Sequence, residues 1–256
     1  MLESQVSLGR DFARALDPVL LATDVGLTPD PIQADLLTTS SRRVLVNCTR
    51  QWGKSSITSL VALHACLYQA PARVILCSPS MQQSVELFKK AHDYWTRLPG
   101  APGCRQESLT RMELDNGSRI ISLPGSERTV RGYSATLIVL DECARCPDEL
   151  ISAVRLMLAA AEDGRFICLS TLAGKRGFFH REWTTGAGWH KIRVTAAECP
   201  RIKPEFLAEE LATLGPMLFD QEYRCLFVDA ETSVFSTALI EAALVDNFRP
   251  FLENHA

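Results

Sequence analysis

Apolar residues along this chain fall into short continuous runs that alternate with longer segments of helical periodicity. The runs RVLVNC (43–48), RVILCS (73–78), TLIVL (136–140) and RFICLST (165–171) are rich in Val, Ile and Leu. Such runs are typical of strands that are buried on both faces of a sheet. Because segments with helical periodicity, such as SSITSLVALHACLYQA, separate them, the pattern predicts a mostly parallel sheet sandwiched between helices.

Turn residues refine this pattern at three places. The segment RMELDNGSRIISL (111–123) carries Asp-Asn-Gly between two short runs and predicts a β-hairpin. Residues 1–30 predict a helix followed by turns, and Pro31 opens a short helix, PIQADLLTTS. Towards the end, PEFLAEELATLG and PMLFDQEYRCLF predict acidic helices, and the residues after them have no clear sheet partner.

Composition excludes several classes of protein. The chain has 256 residues, of which 46% are hydrophobic and 22% charged, as in an ordinary globular α/β protein. No apolar run approaches the roughly 18 residues of a membrane span, and the N-terminus lacks the apolar core of a signal peptide. Nine cysteines without a secretory signal predict reduced, mostly buried thiols in a cytosolic protein.

Charge is unevenly distributed along the chain. The net charge is −3, but residues 196–256 hold 4 Lys/Arg against 11 Asp/Glu, whereas residues 1–195 hold 23 against 19. An acidic end could therefore mask a modestly basic body. Six arginines lie within residues 97–131, and part of this set could face nucleic acid; a solvated loop region is the alternative. They are Arg97, Arg105, Arg111, Arg119, Arg128 and Arg131.

The segment VLVNCTRQWGKSSITSL predicts a phosphate-binding loop. A buried strand runs into a short loop, then Gly53-Lys54-Ser55, then a helix. Backbone N–H groups and the helix dipole favour an anion at this point, Lys54 would reach the β- and γ-phosphates, and Ser55 would ligate Mg²⁺. The usual motif has glycine five residues before Gly53, where this chain has Cys48. The alternative is an exposed turn with a solvated lysine.

Two carboxylates, Asp141 and Glu142, end the apolar run LIVL. In phosphate-loop enzymes a strand beside the loop strand ends in an aspartate that helps to hold Mg²⁺, which predicts this role for Asp141. The adjacent side chain points elsewhere, so Glu142 is free to orient and activate water. The alternative is a surface junction with two solvated acids.

Taken together, the segments resemble the ATPase domain of the large terminase subunit, the DNA-packaging motor of tailed bacteriophages. The resemblance covers about residues 31–236 and rests on segments in a fixed order. They are PIQADLL, CTRQWGKSS, ELDNGSRI, VRGYSATLIVLDECA, STLAGKRGFF and FDQEYRCLFVDAETSVFS. Terminases tolerate a residue other than glycine at the position of Cys48 and carry an arginine inside the loop, as Arg50 here.

The resemblance implies further site residues. Gln33 is similar to the family's adenine-reading glutamine, and an amide can both donate to and accept from a purine edge. Arg50 would contact the γ-phosphate. Arg131 is similar in placement to an arginine finger that reaches the neighbouring subunit's ATP, with Arg128 as a weaker rival. The remaining residues implied are the phosphate-loop neighbours Gln51 and Ser56 and the coupling pair Ser170 and Thr171.

The resemblance also implies an architecture and a biological setting. The fold would be a RecA-like P-loop NTPase of the additional-strand type, with a helical lid-like segment (1–30), an ATPase domain (31–236) and a tail (237–256). ATP and Mg²⁺ would be bound, and the ATPase would drive double-stranded DNA into a procapsid as a ring on a portal protein, together with a small terminase subunit. Its location would be the cytoplasm of the infected bacterium, without a membrane partner.

Three other expectations remain open at this stage. Large terminases also have a ribonuclease-H-like nuclease, and the 20 residues after Ser236 cannot build its metal-binding sheet, so no DNA cleavage is expected. Cys143 and Cys146 form a C-x-x-C, but no further ligands follow at zinc-site spacing, so buried thiols are expected instead. The alternative functions are a helicase-like DNA-dependent ATPase and a non-catalytic nucleotide-binding docking module.

Overall fold

The computed structural model describes residues 2–125, 130 and 132–229, with only the backbone for residues 2–7. Eight strands form one sheet in the order β3-β4-β5-β2-β6-β7-β1-β8. The strands are Arg43–Cys48 (β1), Arg73–Ser78 (β2), Cys104–Glu107 (β3), Arg111–Leu114 (β4), Arg119–Pro124 (β5), Leu137–Leu140 (β6), Arg165–Ser170 (β7) and His190–Val194 (β8). Only the β3–β4 and β4–β5 pairings are antiparallel, which confirms a mostly parallel sheet.

Helices cover both faces of this sheet. They are Leu2–Leu16 (α1), Pro18–Asp24 (α2), Pro31–Thr38 (α3), Lys54–Tyr68 (α4), Met81–Arg97 (α5), Asp148–Leu156 (α6), Gly177–Thr184 (α7) and Pro204–Glu222 (α8), with short 3₁₀ turns at Cys143–Arg145 and Ala196–Glu198. Val44 and Val46 of β1 face a core that α2, α3, α4 and α5 complete. Leu45 faces the opposite core, against α6 and α7. Successive residues of a strand point to opposite faces, so Val44, Leu45 and Val46 are all apolar.

The order of the strands corrects one expectation. The strand that ends at Asp141, β6, does not lie beside the loop strand β1, because β7 is inserted between them. Helical crossovers let a parallel strand skip a neighbour, so strand order is not encoded in the local pattern that identified each strand. An inserted strand at this position agrees with the additional-strand type that the family resemblance implied.

Two strands and one helix have no counterpart in the sequence pattern. β3 and β8 are the outer strands of the sheet, and their side chains alternate or are mainly exposed, so neither forms an apolar run. The helix α7 was likewise not predicted. Within α8, Gly215 has φ +72° and ψ 167° ahead of Pro216, which produces a kink between the two predicted acidic segments.

No helix among the described residues is both long enough and apolar enough to cross a membrane.

Packing attaches α2 to the main core, and charge attaches α1 to α2. Leu21, Ala22 and Val25 are buried in the same core as α4. Asp24 accepts hydrogen bonds from the Nε atoms of Arg10 and Arg14, at 3.0 and 2.6 Å. The boundary proposed at residue 30 remains a prediction, because this packing alone does not define a separate unit.

Asp24→Asn is expected to lower the melting temperature near pH 7, and the difference from the parent should shrink as the pH falls. The hydrogen bond from Arg10, supported by Arg14, lowers the pKa of Asp24 to about 2. The folded pKa lies below the unfolded value, so this stabilisation is complete above about pH 5 and is lost as the pH falls towards 2. Thermal unfolding at several pH values measures it.

A control for this prediction is Asp163→Asn, which removes an exposed partner of Arg42 and should change the melting temperature little. If the melting temperatures of Asp24→Asn and the parent differ by the same amount at every pH, the effect of the substitution is on packing and not on charge.

Candidate nucleotide-binding site

The loop between β1 and α4 is held in a conformation that few residues adopt. Gln51 has φ +61° and Gly53 has φ +92°, both in the left-handed region that glycine tolerates best. Trp52 is completely buried in the core that α2, α3, α4 and α5 complete, and it anchors the loop there. Cys48 ends β1 with its side chain fully buried, and its thiol lies 4.0 Å from the Ser170 carbonyl oxygen. A side chain is therefore accommodated where the usual motif has glycine.

Lys54, the first residue of α4, joins the loop to both predicted carboxylates. Its Nζ lies 2.9 Å from Asp141 Oδ1 and forms a second ion pair with Glu142 Oε1. Glu142 has φ +53°, a strained conformation for a residue with a side chain. This turn takes the chain away from β6 and directs the Glu142 carboxylate back towards the loop. The structure thus brings together the three residues that the two motifs contributed separately.

The buried Asp141 carboxylate needs a positive charge beside it. Burial by itself lowers the pKa of Lys54, but the carboxylates of Asp141 and Glu142 outweigh it and hold that pKa above its ordinary value. Burial raises the pKa of Asp141, and the Lys54 ammonium opposes the rise. An ionised carboxylate as buried as Asp141 is stable only beside a positive charge. Lys54 supplies that charge here, and Mg²⁺ could share it.

Two further residues of the site were not predicted from the sequence. Arg145 Nη1 lies 2.6 Å from Glu142 Oε2 and donates to Thr171 Oγ1 at 3.0 Å, so it links the predicted water-activating residue to the predicted coupling residue. Glu222, near the end of α8, accepts from Arg50 Nε at 2.7 Å. The i, i+3 spacing of Glu142 and Arg145 was the only local pattern that could have indicated the first of these contacts.

These side chains surround a cleft of about 260 Å³ at the carboxyl edge of the sheet. Its lining residues are Arg50, Gln51, Lys54, Gln83, Glu142, Arg145 and Thr171. Ligands of parallel α/β sheets bind at this edge, where the strand ends and helix N-termini converge. Two larger cavities lie elsewhere, but they contain none of the predicted phosphate-loop residues. The chemistry of the lining, rather than the volume, identifies the candidate site.

The other predicted residues occupy different positions around the loop. Gln33 is buried, donates through Nε2 to the Trp52 carbonyl oxygen at 2.7 Å and accepts from the Asp30 backbone N–H at 3.1 Å. The Ser170 hydroxyl bonds backbone atoms, accepting from Ala144 N in a distant segment and donating to the carbonyl oxygen of the adjacent Thr171. Of the coupling pair, only Thr171 lines the cleft.

Ser55 and Ser56 lie in the first turn of α4 and are both half-buried. Lys90 Nζ of α5 is 3.5 Å from Ser56 Oγ. Among the described residues, no hydrogen-bond partner is found for the Ser55 hydroxyl. That hydroxyl and the buried Asp141 carboxylate are hard oxygen ligands of the kind that Mg²⁺ prefers, so these two residues fit a magnesium ion.

Arg128 and Arg131, the two finger candidates, lie outside the described residues. Several of the other arginines between residues 97 and 131 are engaged by acids. Arg105 pairs with Asp115 at 3.4 Å, and Arg111 and Arg119 both pair with Glu113. These contacts favour a solvated, internally neutralised hairpin over a surface with free positive charge.

The cysteines are buried, apart from the half-buried Cys104, and none forms a disulfide in the structure. Cys143 and Cys146 follow Glu142 directly, and both side chains belong to the core that α6 and α7 cover. Burial raises the pKa of both thiols above the ordinary value. Both therefore contribute to packing beneath the site, which agrees with the buried thiols expected from the sequence.

Comparison with known proteins relates this site to one family. Residues 46–242 match the family model described as terminase large subunit, T4likevirus-type, N-terminal. The chain is 21% identical over 248 residues to the terminase large subunit of Thermus virus P23-45, an alignment that covers 83% of this chain and 51% of the relative. The chain therefore spans about half the length of the curated relatives it matches.

Solved structures share the fold. The large terminase ATPase domain of Thermus phage P74-26 superposes with a TM-score of 0.71 at 18% identity and covers 81% of this chain and 97% of that domain. The HK97 bacteriophage large terminase gives 0.64 at 16% identity, covering 82% and 53%. The large terminase of a thermophilic bacteriophage, solved in complex with ADP, gives 0.64 at 8% identity, covering 78% and 54%.

Proposed function

This chain belongs to the terminase large subunit family, and from that premise we propose that it hydrolyses ATP to drive double-stranded viral DNA into a procapsid. One observation of the structure supports the ATPase most directly. Lys54, at the start of the helix that follows the loop, forms ion pairs with both Asp141 and Glu142 across the end of the inserted strand. A cation and two carboxylates at a helix N-terminus are the elements that phosphoryl transfer to water requires.

In the proposed reaction, the loop N–H groups and Lys54 bind the β- and γ-phosphates of ATP, and Arg50 contacts the γ-phosphate. Gln51, Gly53 and Ser56 complete the phosphate cradle. Glu142 orients a water molecule and accepts its proton. The water oxygen forms a bond to the γ-phosphorus as the bond to the bridging oxygen breaks, which releases ADP and inorganic phosphate.

Arg145 keeps the Glu142 carboxylate in place through its 2.6 Å contact, and its bond to Thr171 connects that carboxylate to the end of β7. Thr171 is thus suited to report the state of the γ-phosphate to the rest of the sheet, with Ser170 fixing the adjacent backbone. Ser55 and Asp141 would hold Mg²⁺, which supplies positive charge against the phosphate oxygens.

Family membership, and not the geometry of the site, supports the proposed partners. We propose self-assembly into a ring on a portal protein and cooperation with a small terminase subunit, in the cytoplasm of the infected bacterium. A packaging motor must grip any sequence, so DNA contacts should be to phosphates and should weaken with salt.

ATP turnover by concentrated protein, with and without double-stranded DNA, tests this function. Turnover per subunit that rises with protein concentration, in the presence or absence of DNA, supports a motor. Tight ATP binding without turnover under every condition would favour the non-catalytic docking module. DNA-dependent turnover that is as fast per subunit in a monomer as at high protein concentration would favour the helicase-like alternative.

Arg131→Ala is expected to retain ATP affinity and lose most of the turnover. A finger supplied by a neighbour acts mainly on the transition state, and such residues contribute roughly 10³–10⁵ in rate. The measurement mixes Arg131→Ala subunits, which have an intact pocket, with Lys54→Ala subunits, which keep the finger. Activity should reappear where an Arg131 of the second meets a pocket of the first.

Arg128→Ala serves as the comparison variant and should keep most of the turnover. Mixtures that co-assemble but recover no activity at any ratio would leave Arg131 with a role inside its own subunit or on DNA.

A further inference from the structure

A second polar network contacts the phosphate loop at Trp52. The Trp52 carbonyl oxygen, directly before Gly53, accepts hydrogen bonds from two side chains that are distant in sequence. Gln33 Nε2 donates to it at 2.7 Å, and Arg201 Nη2 is the second donor. A carbonyl oxygen has two lone pairs, so these donors saturate it. The loop is thereby fastened to α3 and to the turn before α8.

The same two side chains share a second partner, Asp30. Asp30 Oδ1 caps α3 by accepting from the backbone N–H of Gln33 at 2.9 Å, and Gln33 Oε1 accepts from the Asp30 N–H at 3.1 Å, which completes a capping box. The free Oδ2 of Asp30 lies 3.3 Å from Arg201 Nη2. Arg201 therefore ties together the Trp52 carbonyl and Asp30, which are the two groups that orient the Gln33 amide.

The network is close to the loop and rests on a fixed support. A Cβ atom placed on Gly53 would lie 3.0 Å from Gln33 Nε2 and 3.7 Å from Arg201 Nη2, so both donors approach the residue that precedes Lys54. Ile202 packs against the main core, which anchors the turn that carries Arg201. Gln33 is 2% exposed, whereas the Arg201 side chain is 46% exposed.

We infer that Arg201 is a positioning residue for base recognition: by bridging Asp30 and the Trp52 carbonyl, it fixes the orientation in which the Gln33 amide meets the adenine of ATP. This inference rests on the proposed function, which supplies the nucleotide. The protein uses one Gln33 N–H and one lone pair of its oxygen, which leaves the other N–H and lone pair available. Adenine offers a ring-nitrogen acceptor next to an amino donor, the complement of that remaining pair.

Guanine offers two adjacent acceptors on the same edge, so the fixed amide oxygen would face a carbonyl oxygen. An amide held in one orientation binds adenine without losing rotational freedom on binding. Arg201 thus contributes to the preference for ATP through Gln33 and not through the phosphates. This predicts a specific pattern of energetic coupling between the two residues.

The test measures the affinities of the full chain for MgATP, MgGTP and tripolyphosphate by calorimetry, for the parent, Arg201→Met, Gln33→Leu and the double variant. Arg201→Met should reduce the ATP-over-GTP preference about three- to tenfold, and Gln33→Leu should abolish it. In the Gln33→Leu background, Arg201→Met should have no further effect on the preference. Tripolyphosphate affinity should stay within about twofold in each single variant, because one donor still holds the Trp52 carbonyl.

Two controls separate positioning from folding. Arg201→Lys keeps a cation beside Asp30 and should retain most of the preference, and Arg42→Met removes an exposed arginine that pairs with Asp163, far from the loop. Thermal unfolding of each variant identifies any that do not fold. If Arg201→Met is one of them, the ATP-over-GTP preference of Arg201→Lys is compared with that of the parent, and loss of the preference in Arg201→Lys would contradict the inference.

The outcomes are distinguishable from failure of the proposed function. A parent protein that binds neither nucleotide nor tripolyphosphate would overturn the proposed function itself. A parent that binds both nucleotides equally, an Arg201→Met variant with unchanged preference, or an additive double variant would overturn only the role of Arg201. Loss of tripolyphosphate affinity in Arg201→Met would make Arg201 a direct phosphate ligand, which also contradicts the inference.

Discussion

Lys54→Ala is expected to abolish ATP turnover and to weaken MgATP binding about a hundredfold. Lys54 is the cation that meets both Asp141 and Glu142, and in the proposed complex its ammonium binds the β- and γ-phosphates instead. Hydrogen bonds to charged groups contribute about 1.5–3 kcal/mol each, and more than one is lost. Steady-state turnover and equilibrium binding measure the two effects separately.

The same change should also reduce stability, because Asp141 is buried and would keep no lysine partner. Lys54→Arg separates the two effects: its guanidinium preserves a charge beside Asp141, so the melting temperature should recover while turnover stays absent. Lys89→Ala, which removes an exposed ammonium paired with Glu86, should leave turnover unchanged. Parental turnover in Lys54→Ala would exclude this loop as the phosphate site.

Glu142→Gln should bind MgATP about as well as the parent but turn it over roughly 10²–10⁴-fold more slowly, the range that general acid–base catalysis contributes. The amide keeps the shape of the side chain and can still accept from Arg145, but it cannot take a proton from water. Single-turnover hydrolysis combined with equilibrium binding separates the chemical step from affinity.

Glu149→Gln provides the comparison for Glu142→Gln, because Glu149 is an exposed glutamate on α6. It should not alter either measurement. If Glu142→Gln loses nucleotide binding together with turnover, Glu142 is a metal ligand or a structural residue, and the division of roles between it and Asp141 is wrong.

The parts of the fold that the sequence predicted are those specified by local patterns. β1, β2, β6 and β7 are buried on both faces, so each contains at least three consecutive apolar residues. β8 lies at one edge of the sheet, and its burial alternates between polar and apolar positions over only five residues, which is too short to distinguish it from a loop. Edge strands thus lack the pattern that identified the central ones.

The candidate site divides in a similar way. Gly53, Lys54, Asp141 and Glu142 were predicted because each group lies within a few residues at the end of one strand. The contact between Arg50 and Glu222, at 2.7 Å, was not predicted, because it joins segments more than 170 residues apart. Such pairs are brought together by the sheet, and no local sequence pattern predicts the order of its strands.

A crystal structure of the chain with Mg²⁺ and a non-hydrolysable ATP analogue tests the central claim most directly. We expect the triphosphate in the cleft lined by Arg50, Lys54, Glu142 and Thr171, with the Lys54 ammonium moved from Glu142 to the β- and γ-phosphates. Mg²⁺ should lie between Ser55 and Asp141, and the Glu142 carboxylate should face the γ-phosphate. An analogue bound away from the loop, or a Lys54 that keeps both carboxylates and contacts no phosphate, would contradict it.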